Sequence, residues 1–242
     1  MNMKGIMLCG GNATRLDLLT RVTNKHLLPV GNKPMCLHPL KTLTDMGVKD
    51  ICVVIGGRNV GKFTEFLGDG GEFGARIYYR YQKQSLGIAH AIALCHDFIG
   101  EEPFVVILGD NIFKGKNQSL VDIASFKYDE AHSEPGAVMV LCYTKTPERF
   151  GIAQLRKGKV VGIVEKPPKY IGRCAITGLY FFDSRFFDYF MMLTPSMRGE
   201  FEITDILKMY NIDDSLHYVL WSGDWTDAGT PESLKVANEM FE

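Results

Sequence analysis

Apolar residues along this chain come in short runs, and the runs alternate between two periods. Gly5–Leu8, Asp50–Ile55, Ile77–Tyr81 and Phe104–Leu108 read as strands. The last of them, FVVIL, is so rich in β-branched residues that it belongs at the centre of a sheet covered on both faces. Between these runs the spacing changes. Met35, Leu37, Leu40, Leu43 and Met46 recur at helical intervals, with Pro34 near the start and Gly47 just past the end. Lys62–Leu67 and the Ala-rich stretch Gly87–Phe98 also read as helices. Strand followed by helix, several times over, predicts a mainly parallel sheet with helices on its faces.

The second half departs from that alternation. Ala137–Tyr143 is a further strand, but Gly151–Leu155 and Val160–Glu165 flank the polar turn Arg156 to Gly158, which is a hairpin signal. Ala175–Phe182 adds another strand, Ser184–Leu193 and Glu202–Tyr210 read as helices, and Leu216–Leu220 reads as the last strand. Thr230, Pro231 and Glu232 make a helix start. The expected fold class is therefore α/β: a Rossmann-like mixed, mostly parallel sheet flanked by helices, with an inserted smaller sheet of the kind that carries a second substrate's pocket. No repeat, low-complexity tract or linker interrupts the 242 residues, so a single domain is expected.

Composition narrows the class without naming the chemistry. An apolar share of 46% and a charged share of 23% are those of an ordinary globular protein, which argues against disorder and membrane spanning. A net charge of -1 leaves no basic excess for a nucleic-acid backbone, so any phosphate chemistry must be local. The apolar run near Met7 is too short for a signal peptide and meets Gly10 and Gly11 directly. Six scattered cysteines without a CxxC pair fit buried free thiols in a reducing cytoplasm.

Local phosphate chemistry has an obvious candidate in Leu8 to Pro29. Gly10 and Gly11 let backbone N–H groups approach an anion, and Arg15 and Lys25 supply fixed positive charge. A Gly-rich turn with solvated basic residues would look the same. Asp110 follows the central strand, where open α/β sheets bind ligands in the crevice beyond the strand ends, although a turn or N-cap aspartate also belongs there. Asp227 again lies between a strand-like run and a helix. Two such carboxylates beside a phosphate loop suggest Mg2+ shared with substrate oxygens. Gln82 and Gly87 suit the polar edge of a base, although a plain loop would place the same pair there. Glu165, Lys166 and Arg198 are further charges at element boundaries. The G-x-G-x-x-G spacing of dinucleotide enzymes and the G-x-x-x-x-G-K-[ST] of P-loop kinases are both missing.

The ordered segments LCGGNATRL, NKHLLPVGNKPM, LGDNIF, PERFGIA, VEKPP, AITGLYFFD, RGEFEITDI and WTDAGT resemble the sugar-1-phosphate nucleotidylyltransferases, most closely the short form of the glucose-1-phosphate thymidylyltransferases. The likeness runs from Met3 to about Asn238. It implies dTTP and glucose 1-phosphate as substrates, Mg2+ on Asp110 and Asp227, a cytoplasmic homo-oligomer, and no nucleic acid or membrane partner. By the same resemblance the nucleotide lies in about residues 1–113 and the sugar in about 114–242. Gly10, Gly11 and Ala13 would contact the nucleotide through their backbone. Arg15 and Lys25 would bind its phosphates, with Gln82 and Gly87 on the pyrimidine. Asn111, Gly151, Glu165, Ile176 and Tyr180 would surround the hexose, and Lys166 and Arg198 would hold its phosphate. Use of UTP or another sugar 1-phosphate, and a non-catalytic regulatory subunit, are the alternatives.

The chain departs from the family pattern in places. Its loop reads Asn12-Ala13-Thr14-Arg15 where G-x-G-T-R is common, and Leu18 stands where a proline is usual. Ending at Glu242, it lacks the C-terminal helices with which longer members build a regulatory site, so allostery there is not expected.

Overall fold

The computed structural model describes residues 3–11, 16–20, 23–57, 60–115 and 136–242, with the side chains of residues 17 and 18 left out. In chain order the strands are β1 (Lys4–Cys9), β2 (Pro29–Val30), β3 (Lys33–Pro34), β4 (Asp50–Gly56), β5 (Arg76–Gln82), β6 (Phe104–Leu108), β7 (Asn111–Lys114), β8 (Ala137–Tyr143), β9 (Gly151–Arg156), β10 (Lys159–Glu165), β11 (Cys174–Phe182), β12 (Leu216–Leu220) and β13 (Asp224–Asp227).

Nine of them form one sheet with the path β10-β9-β11-β6-β1-β4-β5, and β8 joins β11 to β12 beside that path. Strands β5, β4, β1 and β6 run parallel, as helical crossovers require. The predicted hairpin extends the same sheet: β10 pairs antiparallel with β9, across a turn in which Lys157 and Gly158 both take positive φ (51° and 77°). β7 and β13 make a separate two-stranded sheet, and β2 and β3 another.

Side chains that alternate along the central strands feed two cores. Ile6, Leu8, Cys52, Val54, Phe104 and Val106 face one layer, where the helices Ile88–Ala93, Arg185–Met192 and Ile203–Ile212 bury Ile92, Phe186 and Tyr210. Met7, Cys9, Val53, Ile55, Val105 and Ile107 face the other, against Leu40 and Leu43 of the helix Leu37–Asp45 and Phe63 of Val60–Leu67. Burying each such side chain contributes about 1.5–3 kcal/mol, enough to fix which face each strand residue takes. All six cysteines are free; four are buried, while Cys142 and Cys174 are half-buried.

Three elements differ from the reading of the sequence. Leu216–Leu220 is followed by one more strand, β13, whose partner β7 also went unread. The stretch Gly87–Phe98 is broken into Ile88–Ala93 and His96–Ile99, because the Cys95 N–H turns to the carbonyl of Ile92, three residues back. Strand β11 carries an irregularity between Ile176 and Tyr180, where the Thr177 hydroxyl donates to the carbonyl of Val140 and the Gly178 N–H donates to Oδ1 of Asn111 (2.9 Å). Among the described residues no helix is long and apolar enough to cross a membrane.

Candidate active site

β1 and β6 lie side by side in register, Leu8 opposite Leu108, so the chain leaves both strands at the same edge. Gly10 and Gly11 follow one strand, Gly109 and Asp110 the other. A β-carbon on Gly109 would stand 2.5 Å from Sγ of Cys9 and 2.9 Å from the carbonyl oxygen of Leu8, so only glycine fits this seam. Gly11 takes φ +100°, and among the described residues nothing lies within 4 Å of where a β-carbon would stand. Gly10 and Gly11, together with Lys25, Gln82, Gly87 and Asp110, line a cleft of about 290 Å³. Ala13 and Arg15 lie outside the described residues.

Lys25 reaches the cleft from a single 3-10 turn, Lys25–Leu27, capped by Asn24. Oδ1 of Asn24 accepts from the His26 N–H (3.0 Å) and lies 2.8 Å from Nδ1 of its ring. His26 is buried beneath the turn. Burial and the adjacent Lys25 charge push its pKa down to about 3, against a partial counter-effect of Asp110. Lys25 Nζ donates to Oδ2 of Asp110 at 2.5 Å. Burial alone would raise the pKa of Asp110. The Lys25 ammonium, with hydrogen bonds from Lys25 and Asn111, instead holds this carboxyl well below the usual carboxylate range.

The second carboxylate is brought alongside by the small sheet. Asp227 pairs with Asn111 in β13–β7, and the Ala228 N–H donates to the carbonyl of Asp110 at 2.8 Å. Arg149 holds Asp227, its Nη2 donating to both carboxylate oxygens at 2.8 and 2.9 Å. Asn111 is committed on both sides of its amide: Nδ2 donates to Oδ1 of Asp110, while Oδ1 accepts from Gly178 N and from Nε1 of Trp225 (2.8 Å). It therefore orients Asp110 as well as facing the cavity. Among the described residues no cluster of three or more metal-type side chains occurs. Two neighbouring carboxylates are nonetheless the donor set of a hard divalent ion that completes its shell with phosphate oxygens and water.

Beyond Asp110 a smaller cavity, about 150 Å³, opens against β9, β10 and β11. Asn111, Gly151, Glu165, Lys166, Ile176 and Tyr180, all named from the sequence, line it together with Asp227. A β-carbon on Gly151 would meet Cγ2 of Thr204 at 2.9 Å and Oε2 of Glu165 at 3.2 Å, so the cavity exists because this position has no side chain. Burial raises the pKa of Glu165, as does nearby Glu202, against the opposing charges of Lys166 and Arg198. Arg198 stands outside the lining. It donates mainly to Glu202, at 2.7 and 2.9 Å from Nη2 and 3.0 Å from Nε, and lies 3.6 Å from Glu165. The two hollows share Ile88, Leu108 and Asp110.

Arg149, Thr204 and Trp225 in the cavity wall were not singled out by sequence reasoning, although PERFGIA, RGEFEITDI and WTDAGT contain them. The available signal was position: Arg149 stands two residues before Gly151, and Trp225 two before Asp227.

The sequence profile of the family described as nucleotidyl transferase matches residues 4–242. A glucose-1-phosphate thymidylyltransferase of Neisseria meningitidis serogroup A is 41% identical over 245 residues, covering 99% of this chain and 83% of the relative. One from Xanthomonas campestris pv. campestris is 40% identical, covering 99% of this chain and 80% of the relative. A crystal structure from Bacillus anthracis, described as a candidate glucose-1-phosphate thymidylyltransferase in complex with sucrose, superposes with a TM-score of 0.91 at 44% identity, covering 99% of this chain and 95% of that one. A UDP-glucose pyrophosphorylase complexed with UDP-glucose shares the fold (TM-score 0.86) at 23% identity, covering 100% of this chain and 98% of that one.

Proposed function

This chain belongs to the nucleotidyl transferase family, and on that premise we propose that it transfers the thymidylyl group of dTTP to glucose 1-phosphate with the help of Mg2+. The products are dTDP-glucose and pyrophosphate. The observation that carries the reading is the meeting of two hollows at Asp110: a cleft walled in part by Gly10, Gly11 and Gly87, and a cavity of mixed lining beside it. Relatives named for this reaction, matched along 99% of this chain, support the choice of substrates.

In this reading a phosphate oxygen of the sugar 1-phosphate attacks the α-phosphorus of dTTP. A new P–O bond forms as the bond to the β-phosphate oxygen breaks, and pyrophosphate leaves with the electron pair. Two anions must meet, so positioning and charge neutralisation dominate and no protein nucleophile is needed. Lys25 and Arg15 neutralise the nucleotide phosphates. Lys166 holds the sugar phosphate from the cavity wall, Arg198 would join it by giving up its bonds to Glu202, and Gly151, Glu165 and Tyr180 shape the hexose site. Mg2+ held by Asp110 and Asp227 would supply charge neutralisation at the transferring group. Residues of about 1–113 thus serve the nucleotide and those of about 114–242 the sugar, in a cytoplasmic enzyme that assembles as a homo-oligomer.

The test is an end-point assay of pyrophosphate release with Mg2+, crossing dTTP, UTP, CTP, ATP and GTP against glucose, galactose and mannose 1-phosphates, with product masses measured. Preference for dTTP with glucose 1-phosphate is expected. Preference for another pair would move the substrates, and silence across the grid with nucleotide still bound would turn the reading to a non-catalytic sensor.

A further inference from the structure

Gln82 ends β5 on the wall of the nucleotide cleft, only 6% exposed. Its amide nitrogen is committed twice: Nε2 donates to the carbonyl of Gly87 at 3.4 Å and lies 3.1 Å from Nδ1 of His90. The Gly87 carbonyl can only accept, so the amide must turn its nitrogen toward Gly87 and His90 and its oxygen the other way. Oε1 accordingly faces the glycine loop, 3.0 Å from where a β-carbon on Gly10 would stand. No donor among the described residues bonds it.

His90 lies in the helix Ile88–Ala93, half-buried between Phe190 and Phe201, with ring centroids 6.4 and 6.2 Å away. Burial lowers its pKa and favours the neutral ring. A neutral imidazole that accepts at Nδ1 carries its proton on Nε2.

We propose that His90 is a positioning residue that holds the Gln82 amide with only its oxygen toward the bound base, and that the cleft thereby selects keto pyrimidines over cytosine. This rests on the nucleotide-transfer reading above. Thymine and uracil carry a proton on N3, which Oε1 accepts. Cytosine presents a lone pair at N3, so two acceptors would face each other in a buried site. With the acceptor at position 90 removed, the long bond to Gly87 alone guides the amide. A half-turn then offers its NH2 group to cytosine.

The experiment measures dTTP, UTP and CTP by calorimetric binding and by steady-state kinetics in the wild type and in three variants. His90→Phe keeps an aromatic ring between Phe190 and Phe201 but has no acceptor. His90→Leu is the second acceptor-free variant should the first fold poorly, and His90→Asn returns an acceptor close to the place of Nδ1. The wild type is expected to prefer dTTP and UTP over CTP. The acceptor-free variants should narrow that preference about tenfold, with the change entering KM for the nucleotide more than kcat, and His90→Asn should restore most of it. An unchanged preference in His90→Phe and His90→Leu, or an equal loss for dTTP and CTP, overturns the proposal while leaving the transferase reading intact. A wild type that binds no nucleotide overturns both.

Discussion

Lys25 and Asp110 meet at 2.5 Å with side-chain exposures of 15% and 13%, and Asp110 belongs to the walls of both hollows. In the unliganded chain each neutralises the other. Triphosphate and a cation would give both of them new partners at once, so the pair sits where substrate charge must be received.

Replacing either member therefore removes a preplaced charge. Asp110→Asn and Lys25→Ala are each expected to lower kcat by about 10²–10³-fold, the scale seen when one preorganised group is lost, while the far-UV circular dichroism stays that of the wild type. Steady-state assays check this. Near-normal turnover in either variant would remove that residue from the reaction.

Arg149 bears on the cation. Its Nη2 bridges both oxygens of Asp227, which Mg2+ would share. Chelation is expected to stop pyrophosphate release and added Mg2+ to restore it. Asp227→Asn should raise the Mg2+ concentration for half-maximal rate by about tenfold or more. A midpoint unmoved in that variant would place the ion elsewhere.

A methyl group at position 151 tests the cavity by volume. In Gly151→Ala the β-carbon would arrive 2.9 Å from Thr204 and 3.2 Å from Glu165. KM for the sugar phosphate should rise about tenfold, since overpacking of this kind costs roughly 1–3 kcal/mol, with KM for the nucleotide little changed. If both constants move together, the cavity is not a separate sugar site.

His26 gives a pH dependence with a definite sign. Its folded pKa, about 3, lies below the ordinary value of 6.5, so the unfolded chain binds a proton in that window and the folded chain does not. The contribution is fully present above pH 6.5 and is lost as pH falls toward 3, at up to about 1.4 kcal/mol per pH unit. Urea unfolding at several pH values should show a shallower fall for His26→Asn, which keeps a donor toward Asn24 but does not titrate. Equal slopes would show that His26 takes no part.

The central strands were legible because each is long, apolar and bounded by turn residues, and FVVIL, which lies between parallel β1 and antiparallel β11, is apolar throughout, as a strand covered on both faces requires. β7 and β13 were not legible for the opposite reason. NIFK and DWTD are four residues each, polar at their ends, and become strands only by pairing across more than a hundred residues. No local pattern announces such a partner. Asp110 and Asp227 could be named from the sequence as strand-end carboxylates, but their adjacency is a property of that long-range pairing. Arg149 was not singled out, because nothing nearby in the chain shows that it faces Asp227. The break in Gly87–Phe98 is marked by neither Gly nor Pro at Leu94 and Cys95, and it is set by the hydrogen bond of Cys95.

The wall common to the two hollows constrains how enzymes of this design can diversify. Gln82, with His90 behind it, borders only the first cleft, and Gly151 and Glu165 border only the second cavity, so on the proposed reading substitutions there retune one substrate without penalty to the other. Ile88 and Leu108 border both. A change at either is inherited by two specificities together, and variation across homologues should spare these two positions while the outer ones drift independently.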